Sequence, residues 1–303
     1  MRITIAVALL VAGLLSAHPA LALQAGTSGS LAEAEKLLAS GDVKGAITSL
    51  DRLVRASPRS YYARLALGRA LDLDGRHGDA RRHLEEALKL APAEDERADA
   101  LTTLGVSYAF EAKADEAARY YQRAFDADIQ RNDRAAAAGR ANALGRIYLE
   151  SGNLQKAEQW YTTGFETSRK IPDLPGFRAA LWEMRRHNAL GRIEARRGNR
   201  AAANEHAAAV KGLLDTPGLE NQRVFYPYLV GYIAFFAKQY QQAADELLRG
   251  DQSDPFVLGL IAQSYEKLGD RAKAGEYYRK VLALPVHNIN SAFSRPQARA
   301  FVR

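Results

Sequence analysis

Apolar residues recur along this chain at helical spacing, and small residues hold fixed places within that pattern. The hexapeptide NALGRI occurs twice, at Asn142–Ile147 and Asn188–Ile193. Weaker relatives are LALGRAL at Leu65–Leu71 and TTLGVSY at Thr102–Tyr108. Each places a Leu-Gly pair near the middle of an apolar-periodic helix. With the Gly as zero, Leu71, Tyr108 and Tyr148 follow Gly68, Gly105 and Gly145 at three residues. Gly75, Ala112 and Gly152 follow at seven, Ala80, Ala117 and Ala157 at twelve, and Leu84, Tyr121 and Tyr161 at sixteen. Ala87, Ala124 and Gly164 follow at nineteen. Two helices joined by a turn at the seventh residue account for this order. A small residue is needed where the helices cross closely, and a bulky one where each fills the gap to its neighbour.

The pattern extends in both directions. Ala34 takes the zero place upstream, with Gly41, Ala46, Leu50, Leu53 and Pro58 in phase. Downstream, Gly191 leads to Gly198 and Ala203, although Glu194 stands where a bulky residue is expected. Gly231 leads to Ala243 and Leu247, and Ala262 to Tyr265, Gly269, Ala274 and Tyr278. The zero points 34, 68, 105, 145, 191, 231 and 262 predict seven helix pairs over residues 31–285. Steps of 37, 40 and 46 residues need room. The Ala-rich stretch Asp126–Gly139 is expected to lengthen helices, and Ile171–Phe177, with two prolines, to form a loop. Longer helices would deepen a groove in the middle of the array.

This arrangement resembles the tetratricopeptide repeat, an antiparallel helix pair of about 34 residues. The resemblance implies an all-α fold, a right-handed superhelical solenoid of stacked pairs, because one pair cannot cover its own apolar face. It also implies that the first helix of each pair lines a concave face, reached by residues three before and one after the Gly. Those positions hold Leu65 and Arg69, Asn142 and Arg146, and Asn188 and Arg192. Asn142 and Arg146 are four apart and share a helical face. Arg185, three before Asn188, joins the second set. An Asn amide donates and accepts together, which suits a peptide backbone. An Arg fork grips a carboxylate or phosphate. The resemblance is to repeat proteins that hold extended peptides, sometimes by a terminal carboxylate; the structural alternative is a solvated helix face.

The N-terminus breaks the pattern. Arg2, an apolar run over Ile3–Leu15, the His18-Pro19 breaker and Ala20-Leu21-Ala22 read as a secretory leader cleaved after Ala22. Residues 23–30 are then a short linker, and the mature chain is expected in the periplasm or outside the cell, with no membrane span. The formal charge of +7 becomes +6 once Arg2 is removed. After export this excess argues for acidic peptides, an anionic envelope polymer or a membrane surface, and against nucleic acid. The chain has no Cys, which removes disulfides, thiolate metal sites and a Cys nucleophile.

No catalytic pattern emerges. His77, His83, His187, His206 and His287 are scattered, with no HExxH pair, and no GxSxG, P-loop or dinucleotide-binding glycine motif is present. No enzyme activity, cofactor or metal is expected. The stretch Phe225–Tyr240, FYPYLVGYIAFFAKQY, concentrates aromatics on the sixth repeat. Most of them are expected in the core, with Tyr228 and Tyr232 as the exposed, groove-facing pair. The tail Val286–Arg303 leaves the pattern and carries three Arg after Ser294. It either caps the last pair, the preferred reading, or docks a partner. The chain therefore reads as a non-catalytic cell-envelope scaffold that binds a protein or extended peptide, one with acidic groups included. The expected contacts are Arg69, Asn142, Arg146, Arg185, Asn188, Arg192, Tyr228 and Tyr232. The alternative is an adaptor or carrier for an anionic polymer such as polysaccharide or peptidoglycan. The sequence leaves the oligomeric state open.

Overall fold

The structure is a computed structural model that describes residues 31–303. The expected leader and linker lie outside the described residues. The chain begins with α1 (residues 31–39). There follow α2 Val43–Ala56, α3 Tyr61–Asp74, α4 His77–Leu90, α5 Glu94–Ala109, α6 Ala114–Gln130, α7 Arg134–Glu150 and α8 Leu154–Ser168. Then come α9 Gly176–Arg197, α10 Arg200–Leu213, α11 Phe225–Phe236, α12 Tyr240–Leu247, α13 Pro255–Lys267, α14 Arg271–Ala283 and α15 Ile289–Val302. Consecutive helices pack as seven pairs, α1–α2 through α13–α14, and α15 stands alone at the end. Each of the seven zero residues falls in the first helix of a pair.

The turn geometry supports the phasing at every repeat. Seven residues after each zero, the backbone enters the left-handed region: Gly41, Gly75, Gly152, Gly198 and Gly269, but also Ala112 (φ 57°) and Lys238 (φ 61°). That conformation lets the helix end and turn within two to four residues, and it favours glycine because a Cβ there crowds the following carbonyl. The sequence signal at Lys238 was lost because the required conformation is occupied by a residue that does not advertise it.

Packing explains the small residues. The residues at twelve, Ala46, Ala80, Ala117, Ala157, Ala203, Ala243 and Ala274, are all fully buried. A Cβ on Gly105 would lie 2.6 Å from the Tyr121 ring and 3.0 Å from the Ala117 carbonyl oxygen. On Gly145 it would lie 2.7 Å from the Tyr161 ring, and on Gly231 2.6 Å from Leu247. The bulky residue at sixteen therefore lies directly on the Gly of its own pair. In the fifth pair residue sixteen is Ala207, and Leu229 of the next pair comes to 3.2 Å of the Gly191 position instead.

The long steps divide between two solutions. Across Asp126–Gly139 the extra residues lengthen α6 and α7 to 17 residues each, with only Arg131–Asp133 between them. Beyond α8 the chain leaves the helix until Gly176, and α9 then runs for 22 residues. Its N-cap is Pro175, so Phe177 belongs to the helix rather than the loop. Glu194, out of place as a packing residue, forms an ion pair with Arg197 at 2.7 Å.

The tail forms α15, which packs on α13 and α14 and also reaches α3, α5 and α7 on the opposite wall of the concave face. Asp72 at the end of α3 is fully buried and takes hydrogen bonds from Ser107 at 2.9 Å, His77 Nδ1 at 2.9 Å and His287 Nε2 at 2.8 Å. Burial alone pushes the Asp72 carboxyl up, and the bonds and charges of His287 and His77 more than reverse this, leaving it below its ordinary value. Arg295, 4% exposed, donates through Nη1 to the carbonyls of Leu282 and Leu284 and through Nη2 to that of Leu73. Burial pushes its pKa down to about 10, which still leaves it charged at neutral pH. Ala292 joins the apolar cluster built from Leu73, Val106, Phe110 and Ile147. The tail thus covers the end of the last pair and also closes the concave face against the second and third repeats.

Two substitutions test this packing. Gly to Ala inside a helix ordinarily stabilises by about 0.5–1 kcal/mol. Gly145→Ala is expected to do the reverse, lowering stability by about 1–3 kcal/mol, because the Tyr161 ring cannot move without opening the crossing. Ala112→Gly is expected to raise it by about 1 kcal/mol by relieving the left-handed turn. Urea unfolding followed by far-ultraviolet circular dichroism measures both, and equal shifts of the same sign would contradict the phasing.

Candidate functional site

The first helices α7, α9, α11 and α13, of the fourth to seventh pairs, line the C-terminal half of the concave face. Local sequence sets where each begins. Asp133 caps α7 by accepting the Ala136 N–H at 2.9 Å, and Asp254 caps α13 by accepting the Phe256 N–H at 2.8 Å, with Pro255 at the first helical position. Between these helices lies a cavity of about 430 Å³. Asn142, Arg146, Arg185, Asn188, Arg192 and Tyr228 all line it. Six of the eight residues singled out in the sequence therefore converge on one place.

The other two stand apart. Arg69 donates to Asp99 at 2.6 Å and to Thr103 at 3.1 Å, so it ties the second repeat to the third outside the cavity. Tyr232 is not exposed: it is fully buried, its hydroxyl accepts from Arg196 Nε at 2.6 Å, and its ring packs on Phe236. Tyr228 is also nearly covered, at 8% exposure, although it belongs to the cavity wall. The expectation of an exposed aromatic pair is thus corrected for both residues. The sixth repeat is built around short helices, and only rings packed inward can fill the joint to its neighbours.

The charge arrangement is unusual. Arg146 and Arg196 share one carboxylate, Glu150, whose side chain is 5% exposed. Arg196 forms its ion pair with Glu150, and Arg146 Nε stands 3.4 Å from the other oxygen. Arg192 is 6% exposed and donates only to oxygens without formal charge: Tyr161 at 3.2 Å, the Asn188 carbonyl at 3.3 Å and Tyr228 at 3.5 Å. Arg146 donates to Tyr228 at 2.8 Å and lies 4.1 Å over the Phe256 ring. Arg185 stacks 4.8 Å over Trp182. Among the described residues, neither Arg185 nor Arg192 has a carboxylate at ion-pair distance. Guanidinium groups stay ionised, so this wall carries uncompensated positive charge, shielded from water at Arg192 and exposed at Arg185. The side-chain amides of Asn142 and Asn188 make no hydrogen bond to other described residues and remain available.

Sequence reasoning missed the opposite wall. Asp251, Asp254 and Gln222 come from the loops before α13 and α11, and Asn290 from α15. Asp254 could be recognised as a helix cap from the Asp-Pro pair, but nothing local aims it at the cavity. Its second oxygen accepts from Asn290 at 2.9 Å, and burial raises its pKa. Elsewhere, His187 and His206 meet across α9 and α10 with their Nδ1 atoms 3.0 Å apart. Among the described residues no group of three or more His, Cys, Asp or Glu is placed to hold a metal, and no helix is long and apolar enough to cross a membrane.

Tetratricopeptide-repeat family models match residues 31–95, 102–163 and 257–285, just over half of the chain. The chain belongs to the tetratricopeptide repeat proteins, a family that is generally non-catalytic and binds protein partners. The stretch between the matches holds the fifth and sixth helix pairs, whose first helices carry Gly191 and Gly231. No curated protein matches the chain. Among solved structures, it is similar to a tetratricopeptide repeat protein from Parabacteroides merdae at 15% identity and a TM-score of 0.51, over 89% of this chain and 98% of that one. It is also similar to a kinesin-light-chain-related protein of Podosopora anserina with nearly identical repeats, at 16% identity and a TM-score of 0.53, over 67% and 99%. A chain of the APC/C hetero-tetramer Cut9–Hcn1 matches at 19% identity and a TM-score of 0.46; this protein covers 48% of its length with 88% of its own. At these identities the likeness to the first two is one of fold.

Glu150→Gln is expected to lower stability by about 3–5 kcal/mol, because it strips the shared carboxylate from the two shielded guanidiniums of Arg146 and Arg196. Urea unfolding at neutral pH measures it, and a loss under about 1 kcal/mol would show that the cluster is solvated. Burial lowers the pKa of both His187 and His206; the His206 and Arg186 charges add to this at His187 and Glu183 opposes, while at His206 Glu194 and Glu205 oppose and Arg186 adds. The unfolded chain therefore takes up protons first. Stability should be fully present above about pH 6.5 and fall as the pH drops below it. His206→Gln should flatten that slope in melting temperatures recorded from pH 7.5 to 5.

Proposed function

We propose that this chain is an exported, non-catalytic interaction scaffold that holds a protein partner in the cavity between α7, α9, α11 and α13. The observation that carries this reading is Arg192: buried, ionised, without a carboxylate, and lining a cavity beside free Asn amides. Leaving a shielded charge unmatched is costly, and an acidic group from a partner would complete it. The family supports a protein partner, and the leader-like pattern at residues 1–22 supports export and an envelope location. Because α15 spans the concave face further along, the partner engages the part of the groove that α15 leaves open.

The test is a crosslinked pull-down from envelope extract with the native chain and with Asn142→Asp/Asn188→Asp. These replacements keep side-chain shape and add two negative charges to the cavity wall. A discrete protein captured by the native chain and lost with the variant, at an unchanged melting temperature, is the expected result. Equal capture by both would overturn the role of the cavity. Recovery of polysaccharide or peptidoglycan alone would favour a polymer carrier instead.

A further inference from the structure

The cavity is lined by arginines and aspartates from different segments that form no ion pair with one another, although the Arg146 charge is felt at Asp254. Arg146, Arg185 and Arg192 come from α7 and α9, whereas Asp251 and Asp254 come from the chain entering α13. Among the described residues, neither aspartate forms an ion pair with an arginine. Asp254 instead receives the Phe256 N–H and the Asn290 amide, both neutral donors. A simple anion would meet the Arg face but be repelled by the two carboxylates. A simple cation would face the converse. Complementary potentials select a ligand that carries both signs and reject one that carries a single sign.

Size narrows the ligand further. A volume of about 430 Å³ suits a small molecule or a chain end. A peptide lying lengthwise would run into α15, whose Asn290 forms part of the cavity wall. We propose that this cavity recognises a bipolar unit, one carboxylate and one ammonium group held close together, with the carboxylate on the Arg185–Arg192 side and the ammonium on the Asp251–Asp254 side. The unit is either a free molecule of amino-acid or dipeptide size or the end of a peptide chain. The Asn142, Asn188 and Gln222 amides supply directional hydrogen bonds between the two faces. The inference rests on the scaffold reading for its place in function, but its chemistry can be tested alone.

Trp182, beneath Arg185, provides a fluorescence signal for the Arg face. The full chain is titrated with glycyl-leucine, with its N-acetyl form, with its C-terminal amide, and with an N-acetylated ten-residue peptide ending in Lys-Leu with a free carboxylate. Calorimetry accompanies the fluorescence. Saturable binding of a bipolar probe is expected, with acetylation or amidation each weakening the dipeptide by roughly tenfold or more. Binding of the dipeptide alone identifies a free molecule as the source; binding of the longer peptide alone identifies a chain end, and its single-charge controls then replace Lys with norleucine or amidate the terminus. Asp254→Asn, which keeps the helix cap, should erase the difference between free and acetylated probes. Arg185→Gln should weaken every probe that has a carboxylate.

Equal affinity for the acetylated and free forms would overturn the bipolar assignment and leave an anion site. Failure of every probe to saturate would overturn it as well, while partner capture by the native chain would still stand. Conversely, bipolar binding without any partner captured would fail the scaffold reading alone.

Discussion

Everything in this array depends on how closely the two helices of each pair can cross. A residue without a bulky side chain at the zero position lets the first helix approach the backbone of a fully buried Ala twelve residues on. The large residue four positions later then covers the crossing, as Tyr161 covers Gly145. Close approach fixes the angle within a pair, and the bulky residues left over fix the stacking between pairs. The concave face is a by-product of that stacking. Its side chains are the ones the crossing does not use.

That freedom explains why charge could accumulate there. Arg146 and Arg192 each sit one residue beyond a Gly that the crossing requires, on the side that faces the cavity rather than the partner helix. In most repeats the same place is taken up by structure: Arg69 is tied to Asp99, and Tyr232 is folded into the core. On α9, where the long helix and the loop after α8 open space, Arg192 stays without a carboxylate, while Arg146 of α7 shares Glu150 with Arg196. The local excess of guanidinium over carboxylate is therefore an outcome of architecture as well as composition.

The C-terminal helix changes what the array is. An open row of repeats presents its whole concave face. Here α15 joins the end of the array to its second and third repeats, through Asp72, the Leu73 carbonyl and the apolar cluster that holds Ala292. These contacts join residues more than 200 positions apart, His287 and Asp72 being separated by 215. A nearest-neighbour array would have no such long-range tie, so unfolding of one end should be felt at the other.

The helix pairs, their phase and the place of the groove were legible in the sequence because they follow from local periodicity and from residues whose sizes packing dictates. Even the fifth and sixth pairs could be placed from Gly191 and Gly231. The left-handed turn at Lys238 was hidden, since the backbone imposes that conformation regardless of the residue found there. Six of the eight groove residues could be named because the family resemblance implied which face of each first helix lines the groove, and helical spacing then put them on that face. Exposure could not be read in the same way: Tyr228 and Tyr232 share a face, yet inter-repeat packing decided that one lines the cavity and the other is sealed. The acidic wall of Asp251 and Asp254, and the Asn290 that completes it, come from segments with no periodic relation to the arginines. Only the stacked array brings them together, because curvature and the return of α15 are sums over every pair and are written in no single one.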